Sequence, residues 1–237
     1  MTPTNPPSPA ASPPTRILVV DDHPLLREGI VQLLNCQPGW VCCAQAGTTQ
    51  EAQAMVDQHQ PDLVLLDLRL GTGDGFELLA DWSRRLPHLP VLVISQGEEE
   101  IYAERALRAG ARGYLMKDQA ADEVVLAVRS VLAGEIYASR RVGLRVLQRS
   151  LGPPAEAGGS GLDRLTTREL QVFQWLGAGL STRCIADQLH LSYKTVETHR
   201  ENIKRKLGLK DAAALIHCAT AWMVAEVLPV DGKPVKR

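Results

Sequence analysis

Cysteine is scarce in this 237-residue chain, and none of its five copies stands in a CxxC or Cys/His spacing. An odd set at Cys36, Cys42, Cys43, Cys184 and Cys218 excludes a disulfide framework and a zinc ribbon, and it suits reduced thiols inside a cell. Long apolar runs are missing as well. No stretch approaches the roughly 20 residues of a membrane span, and the N-terminus lacks the charged and apolar regions of a signal peptide. The expectation is a cytoplasmic protein that does not engage a membrane. Net charge is also nearly absent, at -1 over the chain. That near-zero value conceals an asymmetry. Residues 16 to 133 carry 10 basic and 17 acidic side chains, a net of -7, whereas residues 162 to 225 carry 9 and 6, a net of +3. An acidic half joined to a basic half points to a cation site in the first and a polyanion partner for the second.

The composition, 45% apolar and 22% charged, is ordinary for globular proteins, and the length allows two cores. Residues 1 to 15 hold six prolines and almost nothing to bury, which predicts a disordered or polyproline-like lead-in. From Arg16 the pattern alternates. Short apolar runs near 17 to 20, 41 to 46, 63 to 66, 91 to 94 and 113 to 116 are separated by amphipathic stretches. Those stretches lie near 24 to 35, 49 to 58, 75 to 85, 99 to 109 and 120 to 133. Apolar strands alternating with amphipathic helices predict a doubly wound parallel sheet of five βα units, covered on both faces.

Gly134 closes this unit, and the sequence EIYASRRVGLRVLQRSL is expected to form one more helix before the Pro-, Gly- and Ser-rich LGPPAEAGGSG. The expected organisation is thus an α/β unit over 16 to 133, a linker over 134 to 161, an all-α unit over 162 to 226 and a tail over 227 to 237. In the all-α part four short helices are read. Thr166, Ser181, Ser192 and Asp211 are their N-caps, and Gly177, Gly179 and Gly208 their stops.

Four of the strand-like runs end on polar groups suited to phosphoryl chemistry. RILVV meets Asp21 and Asp22, DLVLL meets Asp67, VLVI meets Ser95, and GYLM meets Lys117. In an open parallel sheet the carboxyl ends share one rim, so these groups would converge. Three carboxylates supply hard oxygen ligands for Mg2+, and a lone carboxylate is also a nucleophile toward phosphorus. Asp67 stands alone at the end of the central run, which leaves Asp21 and Asp22 to hold the metal. Lys117 can neutralise a phosphate and Ser95 can donate its hydroxyl. For each residue taken singly, a strand-end cap is an equally good reading.

Residues 16 to 133 resemble the receiver domain of two-component response regulators, through ILVVDDHPLLREGI, DLVLLDLRLGTGDG, VLVIS and GARGYLMK. The resemblance implies that Asp67 accepts a phosphoryl group from a sensor histidine kinase, with Mg2+ at Asp21, Asp22 and Asp67. It further implies that Lys117 and Ser95 assist and that Ser95 and Tyr114 form a switch pair. Packing on an edge strand is the other account of Tyr114. Two departures stand out: Gly71 replaces the family's usual proline, which predicts a more flexible loop, and QGEEE over Gln96 to Glu100 sets acids beside the pocket.

In SYKTVETHRENIKRKLGL the apolar Val196, Ile203 and Leu207 mark a buried helix face, with Lys194, Glu197, Thr198, Glu201 and Arg205 opposite. The preceding STRCIADQLH buries Ile185, Ala186 and Leu189. A helix pair joined by so short a turn, the second member basic, fits a helix-turn-helix, although a plain bundle with a solvated basic face fits the periodicity equally. The stretch from Leu165 to Leu209 closely resembles the LuxR-type DNA-binding domain, and with the receiver it identifies a NarL/FixJ-family response regulator. By that resemblance Glu197, Thr198 and Glu201 face base edges in promoter DNA, while Lys194, Thr195, Arg200 and Lys204 meet phosphates. His199 would touch a phosphate or support packing. The last helix, with Ala213, Ile216 and Trp222, either mediates a homodimer or packs within its own chain.

The function expected is a transcription regulator controlled by phosphorylation of Asp67, not an enzyme beyond slow autodephosphorylation. The rivals are a phosphorylation-independent DNA-binding protein with a vestigial receiver, and an aspartate-nucleophile phosphohydrolase. The latter wants a second acid two residues after its nucleophile, where this chain has Arg69.

Overall fold

A computed structural model of the chain describes residues 13–71, 73–96, 99–119, 121–151, 161–189 and 191–227. Most of the proline-rich lead-in, the segment 152–160, most of the C-terminal tail and the side chains of Glu98, Glu99 and Glu100 lie outside the described residues. The chain divides into two compact units, Met1–Arg149 and Ser150–Arg237.

In the first unit the elements run β1 (Thr15–Val20), α1 (Pro24–Asn35), β2 (Trp40–Ala46), α2 (Thr49–His59) and β3 (Leu63–Leu66). A two-residue hairpin follows, β4 (Arg69–Leu70) with β5 (Gly73–Asp74), and then α3 (Gly75–Arg85), β6 (Val91–Ser95), α4 (Glu99–Arg108), β7 (Gly113–Met116) and α5 (Ala121–Leu132). The main sheet is parallel throughout, in the order β2-β1-β3-β6-β7. That is the flavodoxin-like doubly wound order, and it matches the five βα units read from the sequence.

Burial explains why the central strands are continuous apolar runs. Ile17 to Val20, Leu63 to Leu66 and Val91 to Ile94 are buried on both faces, whereas the edge strand β2 is mostly half-buried. One face of the sheet packs Ile17, Val19, Leu63, Leu65, Leu92 and Ile94 against Ile30, Leu34, Val124 and Val128 of α1 and α5. Each such side chain contributes about 1.5–3 kcal/mol by leaving water. The helices start where the sequence supplies caps. Pro24 opens α1, Thr48 accepts from the Glu51 amide at 3.2 Å, and Asp74 accepts from the Phe76 amide at 2.9 Å.

Two features differ from the sequence reading. The helix expected from Glu135 begins only at Arg140, as α6 (Arg140–Leu151), because residues before it take an extended path. Tyr137 forms a parallel bridge to Gly113, and the Ser139 hydroxyl then accepts from the Val142 amide at 3.3 Å to start the helix. The β4–β5 hairpin was not expected at all. It turns through Gly71, whose φ of 57° favours glycine.

The second unit holds a short 3-10 turn (Gly161–Arg164), then α7 (Thr167–Gly177), α8 (Thr182–Leu189), α9 (Tyr193–Leu207) and α10 (Ala212–Val227). Thr166, Ser181, Ser192 and Asp211 each accept a hydrogen bond from an amide of the following first turn, as caps do. Gly208 ends α9 in the left-handed conformation. Gly177 does more than stop α7. A Cβ there would sit 2.6 Å from the Ala219 carbonyl oxygen, so glycine is what lets α7 and α10 approach closely. The core gathers Leu165, Leu170, Phe173, Leu176, Ile185, Ala186, Val196, Ile203, Leu215 and Ala219.

Candidate functional site

The sheet register brings the strand ends level. Val20 pairs with Leu66, Leu66 with Val93, and Ser95 with Met116, so the residues that follow emerge on one rim. Backbone bonds hold them there: the Asp21 amide donates to the Ala46 carbonyl at 3.0 Å, Asp67 to Val20 at 2.8 Å and Lys117 to Ser95 at 2.9 Å.

At the rim the Lys117 ammonium lies 2.6 Å from Asp21 Oδ2 and 2.7 Å from Asp67 Oδ2, with all three side chains at most 3% exposed. Burial raises the Asp67 pKa above the usual carboxylate range, while the Lys117 charge and hydrogen bond pull against that shift. Asp67 Oδ1 accepts from the Arg69 amide at 3.0 Å. Asp22 is half-buried and is fixed from the hairpin, since the Gly71 amide donates to its Oδ2 at 2.8 Å. Gly71, read from the sequence as a source of looseness, is therefore a donor that proline could not replace.

His23 was missed by sequence reasoning. Its Nδ1 lies 2.7 Å from Asp22 Oδ1 and 3.2 Å from Asp21 Oδ1, and its amide donates to Asp21 Oδ1 at 2.8 Å. One ligand atom from each of Asp21, Asp22, His23 and Asp67 falls within 4.8 Å of the others. Three carboxylates against one ammonium leave uncompensated negative charge in a partly desolvated pocket, and hard oxygen donors of this kind suit a small divalent cation.

Ser95, the other rim residue read from the sequence, ends β6, and Tyr114, expected as its switch partner, sits within β7; both are buried. Gln96 follows Ser95 and is exposed, and its Oε1 accepts from Arg69 Nη2 at 2.9 Å. Arg69 is the second residue that the sequence reading underused, having entered there only as the absence of an acid.

The second candidate site is the outward face of α9. Val196 and Ile203 are buried, whereas Lys194, Thr198, Glu201 and Arg205 are exposed and Glu197 is half-buried, so the helical periodicity holds. Several of these groups already have partners. Glu197 Oε1 pairs with Arg200 at 2.7 Å, Glu201 pairs with Lys204 at 2.7 Å, and the Thr195 hydroxyl bonds Ser192 at 2.8 Å. Arg200 also donates to the Thr182 hydroxyl, which ties α9 to α8. His199 is half-buried, and desolvation lowers its pKa from the usual histidine value. Beneath the helix pair, buried Glu169 closes the capping box with Thr166 and accepts from Lys206 at 2.6 Å. The α10 stripe splits between two faces. Leu215 and Ala219 are buried and Trp222 tilts on Phe173 at 5.8 Å, while Ala213, Ile216 and Val224 are exposed.

A parallel-sheet rim that gathers three carboxylates and an ammonium, in one chain with a capped helix-turn-helix, fits the class of two-component response regulators. Comparison with known proteins agrees. Residues 17–129 match the response regulator receiver domain, and residues 163–219 match the bacterial regulatory proteins of the luxR family. The chain is 38% identical over 204 residues to the transcriptional activator protein ExaE of Pseudomonas putida, covering 86% of this chain and 94% of that one. It is 32% identical over 209 residues to the transcriptional regulatory protein DegU of Brevibacillus brevis, covering 83% and 89%. Among solved structures, a LuxR-family two-component response regulator from Aurantimonas sp. SI85-9A1 matches 59% of this chain and 99% of its own. Its TM-score is 0.53 and its identity 29%. The RcsB response regulator of Salmonella typhimurium, at 19% identity, shares the fold over 89% of this chain with a TM-score of 0.56. The chain belongs to the NarL/FixJ family of response regulators and regulates transcription through receiver and LuxR-type DNA-binding domains. Receiver domains generally bind Mg2+ through an acidic cluster of the kind formed by Asp21, Asp22 and Asp67. Among the described residues no helix is long and apolar enough to cross a membrane.

Proposed function

We propose that Asp67 is the phosphoacceptor through which a sensor histidine kinase controls this regulator. The observation that carries the reading is the single buried ammonium of Lys117 shared between Asp21 and Asp67, with Asp22 alongside. In the transfer a carboxylate oxygen of Asp67 attacks phosphorus, forming a P–O bond as the P–N bond to the kinase histidine breaks. Lys117 follows the charge from the carboxylate to the incoming phosphoryl oxygens, and the Ser95 hydroxyl donates to one of them. Asp21, Asp22 and Asp67 would hold Mg2+, which supplies charge neutralisation between the carboxylates and the phosphoryl group.

The added charge biases Ser95 and the buried Tyr114 between two arrangements, and that bias is the signal. The receiver spans 16–133, the linker 134–161 and the DNA-binding domain 162–226, in a cytoplasmic protein. Glu197, Thr198 and Glu201 face base edges, and Lys194, Thr195, Arg200 and Lys204 meet phosphates. The exposed Ala213, Ile216 and Val224 of α10 serve an active homodimer, while the opposite face packs on α7. Turnover as a phosphohydrolase is disfavoured, because Arg69, two residues beyond Asp67, turns its guanidinium to Gln96. A vestigial receiver is disfavoured by the intact pairing of Lys117. Incubation with acetyl phosphate and Mg2+ should add the mass of one phosphoryl group to the wild type and none to Asp67→Asn. Equal labelling of both would refute the assignment.

A further inference from the structure

The outer edge of β7 does not end the pairing. After α5, Gly134 turns the chain with φ of 84°, and its amide donates to the Val131 carbonyl at 3.0 Å. The segment then runs back along β7. The Tyr137 amide donates to the Arg112 carbonyl at 3.0 Å, and the Tyr114 amide donates to the Tyr137 carbonyl at 2.9 Å. These two bonds flank Gly113, which lies in a parallel bridge with Tyr137. The approach is close enough to require glycine at 113, since a Cβ there would meet the Tyr137 carbonyl oxygen at 2.9 Å and its Cβ at 3.1 Å. The Tyr137 side chain is half-buried and packs on the core shared by α1, α5 and the sheet. Three residues later Arg140 opens α6, seated by the buried Val142.

We infer that Tyr137 is a positioning residue whose backbone ties the switch residue Tyr114 to α6, passing the state of the rim into the linker. Tyr114 serves this purpose because its side chain is buried within the unit while its amide bonds the linker. A shift of β7 at Tyr114 must either move Tyr137 or break its bond, and a buried amide left without a partner is costly. The path from Tyr137 to the first turn of α6 is too short to absorb such a shift as slack. The inference rests on the proposed switch role of Ser95 and Tyr114, and it adds the element that reads the switch.

The test uses the full chain and a duplex selected by the wild-type protein from a random DNA pool. Affinity is measured with and without BeF3- and Mg2+. Tyr137→Pro deletes the donor to Arg112, whereas Tyr137→Ala keeps both backbone bonds and removes only the ring. The expected result is that Tyr137→Pro loses at least about fivefold of the affinity change produced by BeF3- while still accepting a phosphoryl group from acetyl phosphate, and that Tyr137→Ala retains most of the change. A Tyr137→Pro protein that responds like wild type, or equal losses in the two variants, overturns the inference. Should Tyr137→Pro fail to fold, amide exchange on the wild type decides. The Tyr114 and Tyr137 amides should change protection together on adding BeF3-, and an unchanged pair overturns the coupling. A wild type whose DNA affinity ignores BeF3- refutes the switch reading itself, which is a different result from an insensitive variant.

Discussion

Replacing Lys117 with methionine tests how the acidic rim is held together. The ammonium lies 2.6 Å from Asp21 and 2.7 Å from Asp67, and none of the three side chains is more than 3% exposed. Removing one partner of a buried pair costs about 3–5 kcal/mol, because the charge left behind has neither water nor counter-ion. Here two carboxylates are left, but they have an escape. Burial already raises the Asp67 pKa and Lys117 opposes that rise, so without the ammonium its folded pKa climbs further.

The sign follows from linkage. A carboxyl whose folded pKa lies above its unfolded value stabilises the fold when protonated, and that stability is lost as pH rises through the folded pKa. The Lys117→Met deficit should therefore be full at neutral pH and shrink on acidification. We predict a loss of about 3–5 kcal/mol at pH 7 without divalent ions, a large share of the roughly 5–15 kcal/mol that stabilises a domain. Native-state hydrogen exchange at the buried amides of Val64 to Leu66 reads this unit separately from the other. Mg2+ should restore part of the loss by standing in for the ammonium. A deficit below about 1 kcal/mol, or one that grows on acidification, would show that Lys117 does not compensate buried carboxylates.

Other outcomes follow from the same geometry. Asp67→Asn removes a desolvated charge and should raise the thermal midpoint of the first unit at pH 7, as calorimetry would show; a lower midpoint would contradict the upward direction of its pKa. Gly71→Pro imposes a φ near -65° where the chain has 57° and deletes the donor to Asp22, so unfolding should report a loss of about 1–3 kcal/mol together with weaker Mg2+ binding. Glu169→Ala should cost the second unit about 2 kcal/mol, since it opens the capping box and strands Lys206, with α9 amides exchanging faster. Lys194→Ala should flatten the salt dependence of DNA binding by about one unit of slope without changing sequence preference, whereas Glu197→Gln should alter the preferred bases.

The rim was legible because each central strand is an unbroken apolar run, so its terminus could be placed to the residue. Parallel pairing then did the geometric work of bringing Asp21, Asp67, Ser95 and Lys117 together. The unread parts depend on contacts that leave no periodic signal in the sequence. His23 adjoins Asp21 and Asp22 in the sequence, but no residue pattern shows that its ring folds back onto their carboxylates. The β4–β5 hairpin has only two residues per strand, too few to show a period. Tyr137 lies in a stretch that reads as helical, whereas in the fold its backbone bonds to β7 and bridges Gly113. In the second unit the helices and caps were plain, because Thr166, Ser181, Ser192 and Asp211 sit immediately before amphipathic runs. The engagement of Arg200 by Thr182 was not, since it joins residues of different helices.

The central claim is that the chemistry of Asp67 governs the DNA-binding face of α9. The most direct measurement compares wild type and Asp67→Asn for affinity toward a duplex selected by the wild-type protein, each with and without acetyl phosphate and Mg2+. The account predicts that phosphorylation strengthens wild-type binding by at least severalfold and leaves Asp67→Asn unmoved. Wild-type binding that stays constant while Asp67 is shown to be phosphorylated, or an Asp67→Asn protein that responds like wild type, would contradict it.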